Sequence, residues 1–355
     1  MNRSEADPGF PPASHEPRSV IGVRSALLSR RSRACRETRF SAAALACLGL
    51  LLLPAAHPPL AGEPRSVMLV IDQKEAVYRH LIESVERELR ANGNGAARLS
   101  VLDLSERNRG ATDRAVPAAD LYVAVGTQAT AELAQLAGRG PLLSVLIPRL
   151  SFEKIFGNGE AVNGRPRSRS AIYLDQPFDR QLDLIRLVAP DSSRVGVALG
   201  PSTNGYVDDL SRAATARGLR LNAQVLSSDA NLVRALDGLL SDSDAMLGII
   251  DPLVFNRANA QKILLTAYRH RVPLIGASPA YVRAGALAAV YSTPEQIGRE
   301  LGELVTQWAQ AGGRDLPAPR YPRYFSVTVN HQVASSLGLS IESEERLTQR
   351  LGGRP

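Results

Sequence analysis

The stretch LYVAVGTQAT, residues 121–130, sets five apolar or aromatic residues, Leu121 to Val125, immediately before a glycine and a run of small polar residues. A short uninterrupted apolar run reads as a strand buried on both faces, and Gly126, Thr127, Gln128, Ala129 and Thr130 then open a helix. At the carboxyl end of a parallel strand, such a turn presents free backbone N–H groups and a hydroxyl to an anionic or carbonyl oxygen. The same letters also suit a plain strand-to-helix turn with Thr127 as cap.

Outward from this unit the same alternation continues. Residues 67–71, 99–104 and 142–147 read as further strands, and Val77, Leu81, Ile82, Val85 and Leu89 recur at helical spacing until Asn92 and Gly93 stop the helix. A Gly-, Arg- and Ser-rich stretch, 157–170, breaks the rhythm. It restarts with strands at 171–174, 195–199, 221–226, 245–250, 272–275 and 287–291, and with helices at 178–188, 206–217, 231–240 and 256–270. A long helix at 294–311, a Pro-rich segment at 316–322 and a strand at 324–329 follow. Strand and helix in alternation specify parallel sheets covered on both faces. The expected fold class is therefore α/β, with two doubly wound parallel-sheet lobes joined by a hinge. The expected lobes are 62–168 plus 292–320 and 169–291 plus 321–355, with crossings near Ser168, Ser292 and Tyr321.

Four polar strand ends mark a candidate cleft. The first is Gly126, Thr127, Gln128 and Ala129. Ser202, Thr203, Asn204 and Gly205 follow the strand 195–199, Asp251 and Pro252 follow 245–250 with Asn256 starting the next helix, and Gly276, Ala277 and Ser278 follow 272–275. A carboxylate such as Asp251 suits a ligand amine or hydroxyl, although Asp and Asn also serve as caps.

Enzyme and metal signatures are weak. His80, His270 and His331 stand far apart without paired spacing, Ser151 to Lys154 matches SxxK with no accompanying element, and Gly93, Asn94, Gly95 follows a helix and lacks a third glycine. No catalytic group, metal site or cofactor is expected.

The 355-residue chain carries a formal charge of +7, but eight of its 42 basic residues and four of its 35 acidic ones precede Gly62, leaving only +3 for the rest. No basic stripe interleaved with aromatics remains, so nucleic acid is not an expected partner. The early charge belongs to a leader. Basic residues cluster at 30–39, residues 40–53 are apolar or small without a charge, and Ala61 precedes Gly62. This is the order of a secretory signal peptide, 1–61, and the apolar run is shorter than the roughly 20 residues that span a bilayer. Cys47 sits inside the run rather than at its end, against a lipid anchor, and with Cys35 it is one of only two cysteines, both in the leader. A mature chain without thiols suits an oxidising compartment.

The second half resembles the ABC-transporter substrate-binding proteins of the type that includes tryptophan- and tyrosine-uptake binding proteins. The resemblance rests on DQPFDRQLDLIRLVAP (175–190), Asp251 with the helix after it, RVPLIGASPAYVRAGALAAV (271–290), STPEQIGREL (292–301) and VNHQVASSLGLSI (329–341), with VGTQAT (125–130) extending it into the first lobe. It implies a type I periplasmic-binding fold, with Gly126 to Thr130 on one cleft wall and Asp251 and the Ser278 region on the other. It also implies a monomeric, periplasmic solute-binding protein whose partners are a small molecule and an ABC permease with its ATPase. Where such proteins carry an Asp-Pro turn after the strand 142–147, this chain has Ile147, Pro148, Arg149, so a cation, Arg149, is expected in place of a carboxylate as a specificity residue beside Asn256. The basic loop 164–169 is a second departure. A periplasmic sensor signalling to a membrane receptor is the alternative. A DNA-binding repressor with the same core would need a helix-turn-helix where the leader stands.

The leader reading predicts that the exported protein begins at or near Gly62. Intact-mass measurement of the periplasmic protein tests this; a product that retains 40–53, or is lipidated on Cys47, contradicts it.

Overall fold

The computed structural model describes residues 63–72, 76–105, 116–135, 140–157 and 168–352. The leader, and all of the basic loop but its last two residues, lie outside these. Pro59–Pro355 is one unit by its internal contacts, built around two sheets.

The first sheet contains β1 (Arg65–Ile71), β2 (Ala97–Asp103), β3 (Leu121–Val125), β4 (Leu142–Ile147) and β5 (Arg169–Tyr173), with α1 (Ala76–Asn92), α2 (Gly126–Ala134) and α3 (Arg149–Phe156) between them. Its order is β2-β1-β3-β4-β5, every pairing is parallel, and Val67 lies opposite Leu121. The central strands β1, β3 and β4 are buried almost throughout, as their unbroken apolar runs require, while edge strand β2 is half exposed.

The second sheet contains β6 (Arg194–Leu199), β7 (Arg220–Val225), β8 (Ala245–Leu247), β9 (Leu274–Gly276), β10 (Ala288–Tyr291) and β11 (Ser326–Val329). Its order is β11-β10-β9-β8-β6-β7, parallel except for β11 against β10. Around it lie α4 (Phe178–Val188), α5 (Val207–Thr215), α6 (Leu232–Ser241), α7 (Ala260–Arg269) and α8 (Pro279–Ala284), and later α10 (His331–Ser336) and α11 (Glu344–Arg350). Each sheet separates two apolar clusters, one on each face.

Between β10 and β11 the chain returns to the first sheet through α9 (Pro294–Gln310). Thr293 and Gln296 form a reciprocal cap at its start, with Pro294 in the first turn. Ile297, Leu301, Leu304, Val305 and Trp308 then join the cluster built on β1 and α1. The two helices meet closely because Gly298 and Gly302 lie at the contact. A Cβ on Gly298 would sit 2.5 Å from the Leu81 carbonyl oxygen, and one on Gly302 2.6 Å from Glu88 Cβ.

The sequence places the first crossing near Ser168; the structure corrects this. β5 pairs with β4 in the first sheet, and Ala171, Ile172 and Tyr173 fill that sheet's two clusters. The crossing follows Tyr173, because the basic stretch that interrupts the rhythm merely connects α3 to the sheet's last strand. The three crossings are joined by side chains. Gln176 Nε2 donates to Ser292 Oγ (2.9 Å), Ser292 Oγ donates to the Tyr324 carbonyl (2.6 Å), and Arg180 Nη1 donates to Gln176 Oε1 (2.5 Å) and the Pro322 carbonyl (3.1 Å).

The α1–α9 contact yields a paired prediction. Gly298→Ala should lower unfolding free energy by about 1–3 kcal/mol through overpacking. Gly238→Ala, where a Cβ meets nothing within 4 Å, should raise it by about 0.5–1 kcal/mol through helix propensity. Urea midpoints of the two variants test this; equal behaviour would mean that the glycine contact does not hold the returning helix.

Candidate functional site

In doubly wound sheets ligands lie beyond the carboxyl ends of the strands, where strand order reverses. Here that position falls between the sheets and holds a cleft of about 980 Å³. From the first sheet come Thr127, at the start of α2, and Pro148, Leu150 and Ser151, after β4. Asp175 comes from the first crossing. The second sheet supplies Ser202, Thr203 and Tyr206 beyond β6, Ile250 to Asp251 and Phe255 to Arg257 beyond β8, and Ser278 and Tyr281 beyond β9. A smaller recess of about 140 Å³ adjoins it, sharing Asp175, Tyr206, Ile250 and Ser278. Leu150, Ile250, Phe255 and Tyr281 make much of the cleft apolar, with Phe255 and Tyr281 ring centroids 5.7 Å apart. Apolar walls carrying a few polar groups are the usual make-up of a small-molecule site.

Asp251 has no solvent exposure. Its Oδ2 accepts from Gly200 N (3.2 Å) and Thr203 Oγ1 (2.7 Å), and its Oδ1 accepts from Leu253 N (2.7 Å) and Val254 N (2.8 Å). It thereby ties the loop after β6 to the loop after β8, at the point where strand order reverses. Glycine is required opposite it, since a Cβ on Gly200 would lie 2.5 Å from Asp251 Oδ1.

Asp175 stands at the floor between cleft and recess. Its Oδ2 accepts from Arg149 N at 2.5 Å. Burial pushes its carboxyl up, while that N–H and the Arg149 charge pull it down. Burial likewise pushes up the Tyr206 hydroxyl, with the Asp175 charge adding to it, and raises Tyr321 to about 12. Tyr206 also accepts from Leu150 N at 3.3 Å, so a second-sheet side chain is bonded to the first-sheet loop.

These features meet in a family match: the model described as ABC transporter substrate binding protein covers residues 174–350. Over those residues, just under half of the chain, the protein matches the ABC transporter substrate-binding protein family. No curated protein matches the chain significantly. Among solved structures, an ABC domain from Streptococcus pneumonia in complex with L-Trp is 16% identical, with 82% of this chain and 99% of that one covered and a TM-score of 0.55. A ligand-free, open substrate-binding protein with adhesive properties from Clostridium difficile is 16% identical, with 79% and 97% covered and a TM-score of 0.60. A conserved domain protein from Vibrio cholerae is 17% identical, with 81% and 98% covered and a TM-score of 0.54. At these identities the likeness is one of fold, and the fold is the type I periplasmic-binding fold.

Within this substrate-binding protein, Thr127, Asp251, Asn256 and Ser278 line the cleft; Gly126, Gln128, Ala129, Asn204 and Arg149 do not. Gly126 supplies the turn (φ +85) and Ala129 is buried in the first sheet's core. Gln128 is exposed and bonded to Glu132, and Asn204 is exposed in the 3₁₀ turn Asn204–Tyr206. Asp251 is not a free acceptor, because protein donors take both its oxygens. Asn256 turns inward to the Pro252 and Leu253 carbonyls and receives Asn259 N. Arg149 is corrected as well. Its Nη2 lies 2.5 Å from Asp209 Oδ2 on α5 and its Nη1 3.4 Å from Glu153, while its guanidinium covers Tyr206 at 4.9 Å. It joins the two sheets beside the cleft, with its guanidinium already held by protein partners. The sequence reading missed Asp175, Tyr206, Phe255, Arg257 and Tyr281. Asp175 was reachable by the rule used for the others, since it stands just past a strand end.

Asp251→Ala should therefore destabilise the ligand-free protein by at least about 3 kcal/mol, because four donors lose their acceptor, two or more of them buried. A chemical unfolding curve without solute measures it; a loss under about 1 kcal/mol would return Asp251 to the ligand.

Proposed function

We propose that the protein is exported to the periplasm, captures a small carboxylate-bearing solute with an apolar body in the cleft between its sheets, and delivers it to an ABC permease and its ATPase, acting as a monomer. An amino acid is the solute type that fits best. The carrying observation is that the hydroxyls of Thr127, Ser151, Ser202 and Ser278 line the cleft from both sheets, and among the described residues none has a hydrogen-bond partner. Hydroxyls from both sides of one cleft suit a polar solute that bridges them.

Thr127 stands where the N–H groups of α2 begin, and a helix N-terminus favours negative charge by about 0.3–1 kcal/mol at exposed sites. Asp175 takes the role expected of Asp251: it lies on the floor, half-buried, and a solute ammonium would offset the burial that pushes its carboxyl up. Phe255 and Tyr281 then meet the apolar body. The L-Trp held by the streptococcal domain is a molecule of this class. Export is supported by the leader reading, and no helix among the described residues is long and apolar enough to cross a membrane.

A thermal-shift screen of amino acids, dicarboxylates, sugars and nucleosides tests the proposal. A solute at ~100 times its Kd should stabilise the fold by about 2.7 kcal/mol. Thr127→Ala and Asp175→Asn should each weaken the hit about tenfold, the loss of one charge-assisted bond. Sugars or nucleosides as the only hits, with both variants unaffected, would overturn the proposed chemistry.

A further inference from the structure

The described residues include many guanidinium groups, and those near the interior are paired. Arg149 meets Asp209 and Glu153, Arg217 meets Asp179 and Asp183, Arg320 meets Glu300, and Arg323 meets Glu300 and Glu303. Arg257 differs. It lies on the cleft wall, in the loop between Asp251 and α7, and among the described residues it has no ion pair, hydrogen bond or aromatic face as partner. Its neighbours on that loop are fixed. The Asp251 carboxylate holds Leu253 and Val254 by their N–H groups, Asn256 caps Asn259, Asn259 Nδ2 donates to the Leu253 carbonyl at 2.9 Å, and Tyr281 donates to the Asn256 carbonyl at 3.2 Å. An unpaired cation is thus set at the cleft wall on a backbone that its neighbours hold in place.

The surrounding acids do not neutralise it. Asp251 is enclosed by four protein donors, and Asp175 receives Arg149 N across the cleft floor. A guanidinium presents a planar fork of donors that matches a carboxylate with two parallel bonds. Beside it, Phe255 and Tyr281 leave an apolar surface for the rest of the solute.

We infer that Arg257 is the specificity-determining cation of the cleft: it receives an anionic group of the solute on the second-sheet wall, so that the protein selects an acid over its neutral amide. This rests on the solute-binding reading above and names the residue that sets its charge preference, the role the sequence suggested for Arg149.

The test uses matched pairs that differ by one carboxylate-to-amide change: aspartate and asparagine, glutamate and glutamine, phenylalanine and phenylalaninamide, 4-hydroxyphenylacetate and its amide. Affinities are measured by calorimetry for the wild type, Arg257→Gln and Arg257→Lys. The wild type should bind the acid of its preferred pair about 10- to 100-fold more tightly than the amide, the range of a hydrogen-bonded charge pair, and the preference should shrink at 1 M salt. Arg257→Gln should bring acid and amide within about threefold, and Arg257→Lys should keep part of the difference. An undiminished preference in Arg257→Gln would overturn the role of Arg257 while leaving solute capture intact, as would a wild type that binds both members equally. Absence of binding by every pair, with sugars or nucleosides binding instead, would overturn both this inference and the solute class on which it rests.

Discussion

Two sheets that exchange the chain three times need those exchanges held in register, and the constraint that holds them is Glu300, a carboxylate on α9 with no solvent exposure. A buried charge persists only when it is paired and hydrogen-bonded. Glu300 accepts from Arg320 Nε at 2.9 Å, Arg323 N at 2.8 Å and Arg323 Nε at 3.3 Å, all on the third crossing. The segment leaving the first sheet is thereby fastened to the helix that returned to it. Arg180, drawn down to about 10 by burial and supported by the Glu300 charge, extends the arrangement to the first crossing through Gln176. Ser292 completes it at the second crossing. The three crossings are thus tied, directly or through Gln176 and Ser292, to one buried ion cluster.

Each wall is then built by the same local device. A buried parallel strand ends, the chain turns sharply, and polar groups are left facing the opposite sheet. On the first wall the turn is Gly126 with Thr127. On the second it is the pair of loops joined by Asp251, and the absence of a side chain at Gly200 lets that carboxylate approach. Arg149 and Tyr206 bring the walls together next to the hinge, so the lobes touch through an ion pair and a tyrosine at one margin and leave the remainder of the cleft for a solute.

The strand-to-helix alternation made the two parallel sheets legible, because apolar runs such as 121–125 and 195–199 are dictated by burial on both faces. The returning helix was readable from STPEQIGREL, whose cap and apolar spacing are local. Membership of β5 was not readable, since a strand of five residues fits either sheet and the basic stretch before it resembles a linker. The roles of Asp251 and Arg149 were hidden for another reason. An Asp after a strand has the same letters whether it meets a ligand or caps a loop, and the partners that decide between these, Gly200, Thr203 and Asp209, lie some 50 to 60 residues away. Arg257 is the converse case, because the role proposed for it rests on the absence of a partner among the described residues, which sequence does not display.

The proposed capture of a solute between the walls can be measured as a distance, because a solute that bonds to both walls draws them together. A chain beginning at Gly62 has no cysteine, since Cys35 and Cys47 both precede it. Gln128→Cys on α2, next to the first wall, and Gln261→Cys on α7, next to the second, both at exposed positions outside the cleft lining, can therefore carry a pair of spin labels without competing thiols. Pulsed dipolar spectroscopy would compare the protein stripped of small molecules by unfolding and refolding with the same sample after the solute it released is returned. A narrower and shorter distance distribution on return of the solute is the predicted result. Identical distributions with and without bound solute would contradict the account.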